Sequence, residues 1–452
     1  MDDFVANTSD VTLHSSGPAD PTINLASPDR PIAALAVLHQ APDAHNASGA
    51  PLPALAEQLN EAGVPLLHLE INEHPSNAGT PALDLLMLER SATEHPHEHE
   101  RINANRPGWL DGVNANVAEL LPRDNSPEGI RDALLKVLAH GAVADVEGLM
   151  RRFDRLAQGN TVMAAPEPIG MVNVEGGVQA AAQAVIARQA FLNPYLGAQQ
   201  SLLAASRKLA AAGMSTDSIA CSLSVGVEAQ TTQGWQLAEM RLGLRDAARA
   251  LGLEVSAHGE RRDRGEHPAP TVWTLAKAAP EFQPVGCGFR YPGDAIILLG
   301  TTEEELSGSL WELALHDNHL GGMPPHVRLE AEQALSTVLR TAAEQGTLSS
   351  AAALTDGGLG AALATSAFRH GEGFAITMPS GDPTVNLFSE SSARALVSLA
   401  GPDVPAFEAL CADHGVPSVR LGEVTGEGAL EFVGLCSIDL QEARSAWQAR
   451  NT

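Results

Sequence analysis

The sequence predicts a layered α/β (α+β) protein. Three observations carry this expectation. Short apolar strands alternate with helical patterns over residues 215–452. A strand, a helix, a Gly-Val-Pro turn and a second strand occur near both ends of the chain. Pro53-Ala54 leads to Gly63-Val64-Pro65, and Pro405-Ala406 leads at the same spacing to Gly415-Val416-Pro417. The length, 452 residues, suffices for roughly two to three domains with separate cores.

Each segment reads as follows. Residues 1–28 are rich in Ser, Asp, Pro and Thr, lack periodicity, and read as a disordered tail. Residues 29–90 read as a partial α/β segment, with a strand at 31–38, a helix at 52–62 and a strand at 64–71. Gly63 ends the helix and Pro65 opens the next strand. Leu83-Asp84-Leu85 echoes Ile438-Asp439-Leu440, so the segment reads as a shortened copy of the C-terminal domain. Residues 91–127 have no apolar face and read as a linker. Within it, His95, His97 and His99 alternate with Pro and Glu. In an extended chain they lie on one side, as a Zn²⁺ or Ni²⁺ chelate needs, although the acidic, Pro-containing context favours a solvated loop.

Residues 128–165 read as a helical connector. Ser126 fits an N-cap and Pro127 the first helical position, with Ile130, Leu134, Leu135 and Leu138 as the apolar stripe. A second short helix is expected at 146–156. Over residues 166–290 the Ala and Leu content predicts helices at 178–212, broken at Asn193-Pro194, and again at 241–251. Gly259 and the charged run 260–264 read as a solvated hairpin tip. Over residues 291–452 a buried strand is expected at 295–299 and helices at 303–315, 328–344 and 358–369.

Composition narrows the function classes. Hydrophobic residues make up 44% and charged residues 18%, ordinary for a globular chain, while aromatics at 4% leave the cores to Ala, Leu and Val. The net charge is −27 and the lysines are Lys136, Lys208 and Lys277 alone. Such a chain repels nucleic-acid backbones and anionic membranes. No apolar run approaches the roughly 20 residues of a membrane span, and no basic flank with an apolar core marks a secretory signal. The expectation is a cytoplasmic protein. Cys221, Cys287, Cys411 and Cys436 lie far apart, which argues against a zinc site or disulfide framework and for small buried residues.

Several motifs occur in a fixed order. They are Arg152-Phe-Asp154 with Gln158-Gly-Asn-Thr-Val162, Asn193-Pro-Tyr-Leu-Gly-Ala198, Arg290-Tyr-Pro-Gly-Asp294 before an Ile-Ile-Leu-Leu-Gly strand, and Ser307-Gly-Ser309. Leu354-Thr-Asp-Gly-Gly-Leu359, Leu387-Phe-Ser-Glu-Ser-Ser-Ala-Arg394 and Leu421-Gly-Glu-Val-Thr-Gly426 complete the set. Taken in order, they resemble the second half of a large phosphoribosylformylglycinamidine (FGAM) synthase, of the aminoimidazole ribonucleotide synthetase-like superfamily. The resemblance implies that superfamily's domain pair, a mixed-sheet domain over residues 166–290 followed by an α+β domain over residues 291–452. It also implies an ATP-dependent carbon–nitrogen ligase of purine biosynthesis, using ATP and Mg²⁺ and yielding ADP, and face-to-face pairing as a homodimer or with other purine-synthesis subunits. In that comparison the first-half nucleotide domain does not fit into residues 1–127, and a glutaminase would come from a separate chain.

The same comparison locates departures. The positions that match the family's metal ligands hold Pro168, Ala204, Lys208 and Ala353. Mg²⁺ is held by oxygen ligands, and phosphoryl transfer relies on it. No cofactor is therefore expected, with ATP/ADP and Mg²⁺ required only if the family's activity survives, and no catalytic residue is assigned. What remains of a phosphate or nucleotide site is Thr355, Asp356, Gly357 and Gly358 with Ser389, Glu390, Ser391 and Arg394. A Gly-Gly turn entering a helix presents backbone N–H groups to an anion. The alternative is a helix capped by Thr355 or Asp356. Three functions follow as candidates: a non-catalytic structural or regulatory homologue, a subunit active only in a multi-chain synthase, and a divergent small-molecule phosphate binder.

Overall fold

The computed structural model describes residues 11–16, 31–40, 51–73, 82–88, 106–226, 230–262, 268–426 and 428–449. His95, His97 and His99, most of the expected tail and part of the run 260–264 lie outside these residues. The chain divides into two compact units. The first takes residues up to 112 with 146–206 and 216–282, and the second takes 113–145, 207–215 and 283–452. Among the described residues no helix is long and apolar enough to cross a membrane.

In chain order the elements begin with β1 (Val11–Ser16), β2 (Ala33–Gln40), α1 (Pro51–Ala62), β3 (Leu66–Glu73) and β4 (Ala82–Leu88). Next come α2 (Trp109–Asn114), α3 (Pro127–Leu138), α4 (Glu147–Met150), β5 (Thr161–Met163), β6 (Ile169–Val174) and β7 (Gly177–Val185). They are followed by α5 (Ala187–Leu192), α6 (Pro194–Ala211), β8 (Ser218–Val225), α7 (Gln230–Leu251), β9 (Glu254–Arg262) and β10 (Ala269–Ala278). The last stretch opens with β11 (Ala295–Leu299), α8 (Leu310–Leu315), α9 (Leu329–Glu344), β12 (Ser350–Ala353), α10 (Gly358–His370) and β13 (Gly373–Ile376). It closes with α11 (Pro383–Phe388), β14 (Ala395–Leu399), α12 (Val404–Asp413), β15 (Ser418–Thr425), β16 (Ala429–Phe432), β17 (Cys436–Asp439) and α13 (Leu440–Gln448).

The first unit holds two sheets, ordered β1-β4-β2-β3 and β5-β6-β7-β10-β8-β9. The smaller sheet repeats the connectivity of β7-β10-β8-β9. In each, a strand pairs in parallel with the strand beyond its helix and antiparallel with the strand after that. Both parallel pairs even carry an early register shift, at Ala34/Leu35 and at Ile219/Ala220. Aligning those shifts sets Val37 against Ser222, whose cross-strand partners are Asp84 and Thr271. These equivalent residues meet: Thr271 Oγ1 donates to Asp84 Oδ2 at 3.1 Å. Leu35, Leu86 and Leu88 share one core with Ala181, Trp273 and Leu275, so the two sheets pack on each other.

The N-terminal sheet thus shares its strand order with β7-β10-β8-β9, and the sheet of the second unit does not show that order. In the second unit, β14 and β15 flank the matching Gly-Val-Pro turn yet are separated by β11, whereas β2 and β3 pair directly. A Gly-Val-Pro turn encodes how a helix ends and a strand begins, and carries no information about which strand lies alongside.

The second unit carries one seven-stranded sheet, ordered β12-β14-β11-β15-β13-β16-β17. One core includes Leu134 of α3, Trp311 of α8, Leu363 and Phe368 of α10 and Ala443 of α13. The other includes Leu335 and Val338 of α9, Phe407 and Cys411 of α12 and the end of α6. Cys221, Cys287 and Cys411 are buried free thiols, and Cys436 is a partly buried one.

Other local expectations meet the structure unevenly. Ser126 Oγ accepts from Gly129 N at 3.0 Å, capping α3 as its sequence suggests. Residues 177–185 are a strand, not a helix. Their Ala-rich run lies between β6 and β10 and is buried along its whole length, so sheet context overrides Ala's helix preference. Gly259 and Glu260 continue β9, with Gly259 opposite Ser222, and do not form a hairpin tip. Residues 303–309 precede α8 without joining it, because Ser309 caps the helix through Glu312 N at 3.2 Å. Val11–Ser16, within the expected tail, pairs with β4. The end of the expected linker is docked in the second unit. Ala118 is buried there, and the Glu119 carboxylate accepts from Leu306 N, Ser307 N and Ser307 Oγ at 2.8–3.2 Å.

Candidate functional site

The two loops singled out by sequence lie together in the second unit. β12 ends at Ala353, and the chain turns through Thr355-Asp-Gly-Gly into α10. Gly357 and Gly358 both take positive φ, +76° and +63°. A Cβ on Gly358 would stand 2.7 Å from Ser389 O and 2.8 Å from Leu387 O. The Gly-Gly pair thus allows this turn to press against the 387–389 backbone. The second loop leaves α11 at Ser389 and enters β14 at Ala395.

Most of the polar groups of these loops are directed inward. Glu390 Oε1 accepts from Gly357 N and from Leu310 N, each at 2.9 Å. Gly358 N donates to Thr355 O at 3.1 Å. Both amides of the turn are therefore engaged within the protein, and a carboxylate already sits where an incoming phosphate would compete for Gly357 N. The N-cap of α10 is Gly357, which has no side chain to cap with. Ser389 Oγ accepts from Glu305 N at 3.2 Å, and Ser391 Oγ from Glu303 N at 3.1 Å.

Arg394 is fully buried. Its Nε donates to Ser391 O at 3.1 Å, Nη1 to Thr302 Oγ1 at 3.0 Å, and Nη2 to Ser389 O. Burial, reinforced by the Arg207 guanidinium, brings its pKa down to about 10, so it stays charged at neutral pH. Its charge serves the loop's own carbonyls.

Sequence reading missed the second layer of this network. Arg207 and Glu332 form a buried ion pair. Arg207 also donates to Leu354 O, and Ala393 N, at a residue with φ +56°, donates to Glu332 Oε1 at 2.6 Å. Glu305 accepts from His326 N at 2.8 Å and from both terminal nitrogens of Arg328 at 3.0 and 3.2 Å. Burial alone would raise its pKa, but Arg328, Ser391 and the His326 amide outweigh it and hold the carboxyl below its ordinary value. The trace of this network in the sequence is Arg207, which with Lys208 interrupts an Ala- and Leu-rich run.

The positions matched to metal ligands offer no oxygen side chain. In the first unit, Pro168 precedes β6, and Ala204 is buried among Ala184, Ile186 and Ala205. In the second, Lys208 lies on the last turn of α6 and Ala353 closes β12. Three of these side chains cannot donate to a cation and the fourth is itself a cation. These residues do not fit Mg²⁺, and no phosphoryl step is derived through it.

Residues 291–434 match the family "AIR synthase related protein, C-terminal domain". The phosphoribosylformylglycinamidine synthase subunit PurL of Cutibacterium acnes is 41% identical over 351 residues, covering 76% of this chain and 47% of the relative. The chain thus spans about half the length of the curated relatives it matches. Among solved structures, Thermotoga maritima PurL complexed with FGAR superposes with a TM-score of 0.58 at 16% identity, over 70% of this chain and 53% of that one. The PurLQS structure from the same organism gives 0.56 at 16% identity, over 75% and 55%. At such identities these structures speak for the fold alone. Residues 291–434 thus carry the AIR synthase-related C-terminal domain, and the chain as a whole is similar to about half of PurL.

Proposed function

We propose that this chain is an FGAM synthase-like protein of purine biosynthesis that has lost metal-dependent phosphoryl chemistry and acts as a structural or regulatory homologue. One observation carries the reading: the positions matched to the family's four metal ligands hold Pro168, Ala204, Lys208 and Ala353. The geometry of the surviving loops supports it. Glu390 occupies the Gly357 amide, and Arg394 is committed to backbone carbonyls. Apolar and glycine positions that shape the fold persist while oxygen ligands are replaced, the pattern expected when folding is retained and chemistry is not.

A second reading is a synthase component active only with separate subunits. The PurLQS structure of Thermotoga maritima favours it, since PurL is joined there with further components. An assay separates the two. The purified chain is mixed with the complementary synthase components, FGAR, ATP, Mg²⁺ and ammonia, and FGAM is measured. The first reading expects none above background. Stoichiometric dependence of FGAM formation on this chain would establish the second.

A further inference from the structure

A groove of about 610 Å³ belongs to the first unit alone. It is lined by Ile32, just before β2, by the β6–β7 hairpin and by the end of β10. Ile32 and Val174 also belong to the core that the two sheets share, so the groove opens at the edge of that core.

Gln179 is the informative residue. Strand alternation puts it on the same face of β7 as Ala181 and Gln183, the face that packs on the four-stranded sheet. Gln183, further along that face, uses both ends of its carboxamide. Its Nε2 donates to Ala36 O at 2.7 Å, and its Oε1 accepts from Trp273 Nε1 at 3.0 Å. Gln179 is only 4% exposed, and among the described residues its carboxamide has no hydrogen-bond partner. Yet neither its oxygen nor its nitrogen is sealed off, and the surface they keep faces the groove that Gln179 lines. A nearly buried carboxamide with neither end satisfied is uncommon in a folded protein and calls for an outside partner.

The surroundings indicate the kind of partner. Gln179 lies directly opposite Lys277 on β10, and Asn173 and Glu175 stand exposed on the hairpin beside it. An ammonium only donates, a carboxylate only accepts, and a carboxamide does both. A hydroxyl also does both, so adjacent hydroxyls can serve all of these groups without carrying charge. The apolar wall at Ile32 and Val174 suits the C–H face of a sugar ring. A margin with one charge of each sign gives no preference for a charged ligand, and the chain's −27 disfavours an anion. We propose that the groove binds a neutral polyhydroxylated molecule of the sugar class, with adjacent hydroxyls on the Gln179 carboxamide.

Isothermal titration of the full chain with ribose, glucose and inosine tests the proposal, with 2′,3′-dideoxyinosine as the control that lacks the diol. Saturable binding of a free sugar or of inosine is expected, without comparable binding of the control, and comparing the sugars with inosine tells a free sugar from a nucleoside. Gln179→Leu should weaken that binding by about tenfold or more, the loss of hydrogen bonds from the ligand's hydroxyls. The same change should leave the melting temperature of the free protein unchanged, because no hydrogen bond within the protein is lost. Crystals soaked with the tightest probe should show its hydroxyls on Gln179. The proposal is overturned if no sugar or inosine saturates, or if the control binds as tightly as they do. It is equally overturned if Gln179→Leu binds as well as wild type, if that variant loses its stability, or if soaked crystals show only water at Gln179.

Discussion

Arg207 and Glu332 show most clearly what holds the candidate site in its present form. Two opposite charges, both almost wholly buried, are compensated by each other, by Leu354 O and by Ala393 N. Removing one partner leaves the other charged and desolvated. Glu332→Gln should therefore cost about 3–5 kcal/mol of unfolding free energy, read by urea denaturation. A loss within about 0.5 kcal/mol, typical of surface changes, would show that the pair is not the loop's anchor. Glu305 adds a pH signature. Its carboxyl is held below its ordinary value of about 4.3, so its stabilising contribution is complete above that value and is lost as pH falls through the depressed one. In Glu305→Gln the acid limb of melting temperature against pH should be shallower than in wild type. An unchanged slope would remove Glu305 from the account.

At the scale of elements, local chemistry was readable wherever it was decided locally. α3 is an example: Ser126, Pro127 and the stripe at Ile130, Leu134 and Leu138 announce its start and buried face. Ser126→Ala should cost about 1 kcal/mol, measured by the same denaturation. Ala295–Leu299 and the helix beginning at Gly358 were equally legible, the one from an unbroken apolar run and the other from its Gly-Gly entry. β7 was not, because Ala favours helix locally and becomes strand only through the neighbours β6 and β10. The candidate site divides in the same way. Glycines and Ser-Glu-Ser loops leave a visible pattern, whereas Arg207 and Glu332 are 125 residues apart and are brought together only by the fold.

For the whole molecule, the likeness between the two sheets of the first unit matters most. The resemblance suggested two domain pairs face to face, as in a homodimer. In the structure the mixed sheet of the first unit packs against the four-stranded sheet of the same strand order, with Thr271 and Asp84 meeting at equivalent positions. That packing, and loops whose donors turn inward, support the proposed reading of a framework maintained without its original chemistry. The central claim is that this framework no longer takes up magnesium–ATP. Isothermal titration of the purified chain with ATP and ADP, with and without Mg²⁺, tests it most directly. The account predicts no saturable heat that depends on Mg²⁺. Tight, magnesium-dependent ATP binding would contradict it.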